Sequence, residues 1–546
     1  MNADGITYWI NEKEAMVAVA EAALTEANIL SSVEFEGNQY AVIKINDNVF
    51  AGNTNLTAVT LPEGLVEIGN SAFSGCQNFE SVTLPESLTT LGSGAFSSCS
   101  SLKTIKIPSG VTAIPSSCFY ECSSLESVTI PEGVTAIGSS AFALCNINTL
   151  ILPSTVAKID SGAFSSNPLQ SVICNAVTPP MLGDGAFYSN IELSIKVPLQ
   201  SITAYRQANG WKDYANYYGA EIVVGGITYW IKEDCAEVAD AESSLTEANI
   251  PSAVEFDGNQ YPIIKINDYV FAGNANLTTV TIEDGLVEIG LDAFRECKNL
   301  ESVTLPESLI TMGRGAFEFC TSLKTVKIPS NVTTIPESCF YCCSSLESVI
   351  IPEGVMSIGS FAFDSCNLKT LTLPESLTTL GNSAFRYNQT LKKVEIPSKV
   401  TEIPLCCFVL CSLLESVTIP EGVTIVGPYA FSGGSLKTLT LPSTVKEIGN
   451  NAFHRPKSII CNAVTPPMLG DNAFSSGIMP SIKVPLASIA AYRKAYGWKD
   501  FSNYYGGEEI IDGVAYRIDD KGAYVQAAYM TESEVSLAEN VAFEGE

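Results

Sequence analysis

Seventeen cysteines, one histidine and an excess of carboxylates are the side chains from which any chemistry in this 546-residue chain must come. His454 stands alone, so a Ser-His-Asp arrangement would have to recruit it, and a zinc site built from several histidines is impossible. It lies between Phe453 and Arg455-Pro456 with no partner in view, and reads as a surface residue. The chain holds no phosphate-binding GxxxxGK[ST], no HExxH and no GxSxG. No catalytic residue, no metal ligand and no cofactor is expected, and the chain reads as a non-enzyme.

The cysteines are an odd number and cannot all pair within the chain. Most recur at one spacing: Cys76, Cys99, Cys122 and Cys145, then Cys297, Cys320, Cys343, Cys366 and Cys411. Cys118, Cys339 and Cys407 fill a slot that elsewhere holds Ala72, Ala95, Ala141 or Ala316. A residue interchangeable with alanine acts as a small buried hydrophobe. Neighbouring strands ~4.8 Å apart would permit disulfides, so bridges and zinc stay open as alternatives. Cys342-Cys343 and Cys406-Cys407 are not CxxC pairs.

The elements that must position these residues follow from a period. A small residue before phenylalanine recurs at Phe50, Phe73, Phe96, Phe119, Phe142, Phe164 and Phe187, and resumes from Phe271 through ten positions to Phe474. The spacing is 22 or 23 residues in nearly every step. In the unit at 102–122, Ile105 and Ile107 alternate with Thr104 and Lys106, which predicts a short strand with one covered and one open face. Pro108 ends it, Val111 and Ile114 turn inward, and Cys118-Phe119 follows. One such unit cannot bury a core, whereas stacked units can.

The pattern L-x-x-V-x-I-P-x-x-V-x-x-I-G-x-x-A-F-x-x-C, clear at 301–320 and 127–145, resembles the BspA-like class of leucine-rich repeats. The resemblance implies a repeat β-solenoid of the leucine-rich-repeat type, with parallel short strands in turns of ~23 residues. Two capped tandem arrays are expected. Gly5-Ile6-Thr7-Tyr8-Trp9-Ile10 returns at 226–231, and Ile173 to Pro180 returns at 460–467. The expected domains are 1–218, with seven turns, and 219–506, with ten. Residues 507–546 read as the start of a third, truncated cap module, since Gly513 to Ile518 and Val541 to Gly545 match earlier cap segments. That stretch is expected to be poorly packed, and the chain to be a fragment. Residues 5–45 should cap the first array. Ser201 should cap a short helix stopped by Gly210, Trp211, Tyr214, Tyr217 and Tyr218 should cover the last turn, and 219–225 and 506–512 should be linkers.

The open strand face carries the candidate binding surface. Thr60, Thr83, Lys106, Thr129 and Ile151 share one column, continued in the second array by Thr281, Thr304, Lys327, Ile350, Thr372, Glu395, Thr418 and Thr440. Stacking would turn these into hydroxyl ladders on an expected concave side. The plainer reading is that threonine suits strands, and the functional one is a groove for an extended partner. Beside it runs an acidic edge, Glu63, Glu86, Glu132, Asp284, Glu307, Glu353, Glu375 and Glu421, read as solvated turns ahead of a calcium strip.

The net charge of −29 excludes a phosphate-backbone binder and an anionic-membrane binder. No apolar run is long enough to span a membrane, and no signal peptide is visible at Met1-Asn2-Ala3-Asp4-Gly5. The resemblance implies an extracellular or cell-surface adhesion protein binding protein ligands, such as host extracellular matrix proteins, through the concave ladder. The alternative is a rigid stalk that displays another domain.

Overall fold

A computed structural model of the chain describes residues 1–188, 193–474, 479–511 and 514–528. Each of the chain's two arrays is a parallel β-solenoid whose turns repeat at the period of the phenylalanines. Two compact units are present, Met1–Glu221 with Trp230–Asp234, and Ile222–Tyr229 with Cys235 onward.

Each turn has three sides. The first is the open-faced strand, exemplified by Thr104–Lys106, which pairs in parallel with Ser127–Thr129 so that Thr104 faces Ser127 and Lys106 faces Thr129. Ile105 points inward at 3% exposure while its neighbours stand in water, the period-2 alternation of a half-buried strand. After the Pro turn comes a second strand of two residues, such as Ala113–Ile114 on Ala136–Ile137, where the sequence promised only an inward apolar pair. The third side is the small-Phe corner, itself a backbone ladder. The Phe73 amide donates to the Ala95 carbonyl at 2.8 Å and the Phe96 amide to that of Cys118 at 2.8 Å.

In most turns the corner is tight because the side chain before Phe is small and because a glycine three residues before that side chain has no Cβ. At Gly313 a Cβ would lie 2.4 Å from the carbonyl carbon of Gly290 in the preceding turn, so backbones touch there and only glycine fits. The phenylalanines stack face to face through each unit. Ring centroids are 5.0–5.8 Å apart from Phe50 to Phe187. They are 4.8–6.0 Å apart from Phe271 to Phe474.

Caps close the solenoid, with several differences from expectation. In the first unit Ile6–Ile10 and Ala15–Ala20 form an antiparallel pair, and Ala15–Ala20 hands over in parallel to Asn38–Ile45. At the far end Ile202–Gln207 is helical, but the buried Ser201 makes no side-chain capping hydrogen bond. The helix ends before Gly210, which takes φ +81° at the start of the next short turn. The cap aromatics do cover the last turn. Trp211 and Tyr217 are fully buried, the Trp211 indole N–H donates to the Pro180 carbonyl at 2.7 Å, and the ring lies 5.6 Å from Phe187.

The expected linkers are ordered: Ala220–Val224 and Gly507–Ile511 are strands. The expectation of poor packing fails for the described part of 507–546. Gly507–Ile511, Val514–Asp519 and Gly522–Ala528 form a three-stranded antiparallel sheet, in which Val514, Ala515, Tyr516 and Ile518 are buried. A third strand with a hydrophobic face is what such a hairpin needs to pack. The matching segment Val541 to Gly545 lies outside the described residues.

Candidate functional site

The ladder column is assembled by strand register. Thr281 faces Thr304, Lys327 faces Ile350, Glu395 faces Thr418, and Thr440 faces Ile460. Thr60, Thr83, Lys106, Thr129, Thr281, Thr304, Lys327, Thr372, Glu395, Thr418 and Thr440 are all exposed. The parallel pairing extends the column beyond what spacing suggested. Asn28 precedes Thr60, Asn249 precedes Thr281, and Ile173-Lys196 and Ile460-Lys483 follow. The sequence reading did not carry the column into the cap strands and the final turns.

The charged members of the column are engaged. Lys106 Nζ lies 2.9 Å from Glu86, which also accepts from the amide and hydroxyl of Ser109 in the next turn, both at 3.4 Å. Lys327 bonds Glu307, and Glu307 accepts from the Ser330 amide and hydroxyl at 3.1 Å. Lys393 on the same strand pairs with Glu395. These are exposed, solvent-screened pairs of small individual worth, so an incoming charged group can exchange with them at small cost.

The acidic edge therefore has a structural use. Glu132 accepts from the amide and hydroxyl of Ser154 at 3.0 and 2.8 Å, and Glu421 from those of Ser443 at 2.9 and 2.7 Å. Each carboxylate clips one turn to the next. Among the described residues no group of three or more His, Cys, Asp or Glu side chains is placed to hold a metal ion.

The Lys327 ammonium, then the Ser330 amide and hydroxyl, hold the Glu307 carboxyl at a pKa of about 2. Glu86, Glu132 and Glu421 are likewise lowered, Glu86 first by Lys106 and the other two first by the serine amides. A folded-state pKa below the unfolded value means stability that is present above the unfolded pKa and lost as pH falls through the folded one. Comparing the natural chain with Glu307→Gln by urea unfolding should show a difference that is full at pH 6 and shrinks below about pH 4. A difference independent of pH would contradict the clip.

The thiols prove more specific than the small-hydrophobe reading. Fifteen are buried and none of the seventeen forms a disulfide. Where a cysteine stands three residues after a corner phenylalanine, its thiol donates to the carbonyl of the preceding turn's phenylalanine. Cys76 reaches Phe50 at 3.1 Å, Cys122 reaches Phe96 at 3.1 Å, and Cys343 reaches Phe317 at 3.2 Å. At the same repeat position Asn167 and Asn388 donate their amides to Phe142 and Phe363 at 2.7 and 2.8 Å. That Cys/Asn interchange was the available signal for a buried donor.

Burial pushes the Cys76 thiol up to about 11 and Cys145, Cys297 and Cys411 up to about 12. Thiolate chemistry is thereby suppressed in the core. Only Cys342 and Cys406 are partly exposed. A thiol reagent at neutral pH should modify these two in the native protein and all seventeen after denaturation. Rapid native modification of Cys122 or Cys320 would break the account.

Sequence reasoning missed the most deeply buried charge among the described residues. Asp364 is fully buried, accepts from Arg386 Nε at 2.7 Å and bonds the Ser365 hydroxyl at 2.9 Å. The Arg386 guanidinium also lies over the Phe361 and Tyr387 rings, at 5.7 and 5.0 Å. Nothing in the repeat pattern marks these positions. His454 is exposed, as read.

Turns of this length, with parallel strands and a buried phenylalanine stack, define a leucine-rich-repeat solenoid. The family described as the BspA type leucine rich repeat region matches residues 43–170, 264–392, 333–460 and 386–492, and the chain belongs to that family. No curated protein matches the sequence. Among solved structures the chain is similar to a leucine-rich cell surface protein of Faecalibacterium prausnitzii, at 20% identity over 77% of this chain and 94% of that one, TM-score 0.28. It is also similar to a leucine-rich repeat protein of Bacteroides ovatus, at 22% identity over 81% and 95%, TM-score 0.28. A third is the pneumococcal vaccine antigen PcpA, at 15% identity over 85% and 93%, TM-score 0.22. No described helix is long and apolar enough to cross a membrane.

Proposed function

We propose that the protein is a non-enzymatic binding scaffold of the cell surface that engages extended protein ligands, of the host extracellular matrix kind, along the ladder of each array, Thr60 to Thr129 in the first and Thr281 to Thr440 in the second. The observation that carries this reading is the register of the parallel strands, which lines up exposed hydroxyls in columns interrupted by Lys106, Ile151, Lys327, Ile350 and Glu395. Such a surface offers many weak polar contacts along a line and few aromatic anchors, which suits a long partner bound by summed contacts. Surface display is what membership of the BspA-type family leads one to expect.

Binding of the purified chain to immobilised matrix proteins, fibronectin first, across a salt series tests the proposal. Saturable binding that weakens with salt, and falls at least about tenfold when Lys106, Lys327 and Glu395 are replaced together by alanine, is the expected result. No binding to any matrix protein would sink it and favour a rigid spacer.

A further inference from the structure

The same cap strand occurs three times in the chain, and its outward-facing residue is covered in only two of them. Tyr8, Tyr229 and Tyr516 point into the core at 1%, 1% and 4% exposure. The next residue in each, Trp9, Trp230 or Arg517, faces the other way.

Within the first unit, Trp230 stacks on Tyr218 with ring centroids 4.3 Å apart and planes 6° from parallel. Within the second, the Arg517 guanidinium sits 4.2 Å from the centre of the Tyr505 ring. Each tyrosine closes an array, in Tyr217-Tyr218-Gly219 and Tyr504-Tyr505-Gly506, and each is about 5% exposed or less.

Two further contacts recur beside each ring. The Gly219 amide donates to the Ile231 carbonyl and the Gly506 amide to the Ile518 carbonyl, both at 2.7 Å. The cap's turn carboxylates take donors from the closing helix: Glu233 accepts the Thr203 amide at 2.7 Å, and Asp519 accepts Arg493 at 3.1 Å, with Asp520 beside it.

The first cap carries the same three features. Trp9 is 60% exposed, Ile10 stands where Ile231 and Ile518 stand, and Glu12 occupies the place of Glu233 in solvent. A tryptophan that is left in water costs the free energy its burial would return, roughly 25 cal/mol per Å² of apolar surface.

We propose that Trp9, the Ile10 carbonyl and Glu12 form a preformed docking face for the closing segment of a leucine-rich-repeat array ending in Tyr-Tyr-Gly, joined directly to the Asn2–Ala3 strand on its amino-terminal side. A directly joined array is the single source assigned. Both filled faces are filled by a segment tethered by a few residues, which supplies a high effective concentration, and both closing tyrosines of a second copy are already covered. This inference does not depend on what the ladder binds.

The test is the full chain preceded by a second copy of residues 1–221, in register with the natural junction, with the outermost Trp9→Phe so that one Trp9 remains. Hydroxyl-radical footprinting read by mass spectrometry reports each tryptophan separately. Trp9 labelling is expected to fall several-fold, to the level of Trp230, and to rise again when Tyr218 of the added copy is replaced by alanine. Labelling that stays at the natural chain's level, or that stays low without that tyrosine, overturns the proposal. Trp9 protection in the natural chain that grows with concentration also overturns it, because a second copy would then be the occupant. Should the extended chain fail to fold, Tyr218→Ala in the natural chain decides: Trp230 labelling must climb towards that of Trp9, and continued protection refutes the stacking on which the inference rests.

Discussion

Replacing Phe317 with alanine will cost about 4 kcal/mol, within the range for a buried aromatic whose cavity cannot collapse. The ring is fully buried and lies between Phe294 at 5.1 Å and Phe340 at 5.4 Å, nearly parallel to both. Neither neighbour can move into the gap, because its own turn is held by backbone bonds at the corner, from the Phe294 amide to the Ala316 carbonyl at 2.8 Å and from the Phe317 amide to that of Cys339 at 2.9 Å. Solenoid stability is a sum of repeat and nearest-neighbour terms. The damage should therefore concentrate in the turns flanking 317. Hydrogen exchange should lose protection there and keep it around Phe73 to Phe142. Protection lost evenly along the chain would mean that the stack is not the local determinant.

Arg386→Ala should be the next most damaging change, at about 3 kcal/mol near neutral pH, the lower end for breaking a buried ion pair because Arg386 is itself a third exposed. The substitution strands the Asp364 carboxylate in the interior. Burial already raises the pKa of Asp364, against the opposing pull of Ser365 and Arg386. A raised folded-state pKa means that stability is fully present below the unfolded value and is lost as pH rises through the folded one. Without Arg386 the upward shift grows. The Arg386→Ala defect should therefore be small near pH 4 and full at pH 7, and Asp364→Asn added to it should recover much of the loss. Urea midpoints at the two pH values measure this, and an equal defect at both would show that Arg386 acts by packing on Phe361 and Tyr387 instead.

Much of the architecture was legible in the sequence because a solenoid is specified locally. The period of Phe50 to Phe474, the alternation at Thr104 to Ile107 and the glycine before most corners all act within one turn or between adjacent turns. Periodicity in the chain is then periodicity in space. The exposure of the ladder from Thr60 to Thr440 followed from the same alternation. What those residues bind did not, since hydroxyl columns serve strand pairing and ligand contact alike.

Other features were decided only by tertiary structure, each for a physical reason. Cys76 looked like a small hydrophobe because sequence does not show the carbonyl of Phe50 waiting 26 residues earlier for its thiol. The acidic edge looked solvated because the Ser109, Ser154, Ser330 and Ser443 donors belong to the next turn. The segments at 220–224 and 507–511 looked like linkers because a strand is defined by its partner, and theirs follows across a hairpin. Asp364 and Arg386 carried no repeat signature, and only the stacking of turns placed them within 2.7 Å. The sequence by itself determined the period, the class of fold and the exposed face. The tertiary structure decided which polar groups meet across turns, because hydrogen bonds and ion pairs are set by distances between residues some 20 or more positions apart that no local pattern records.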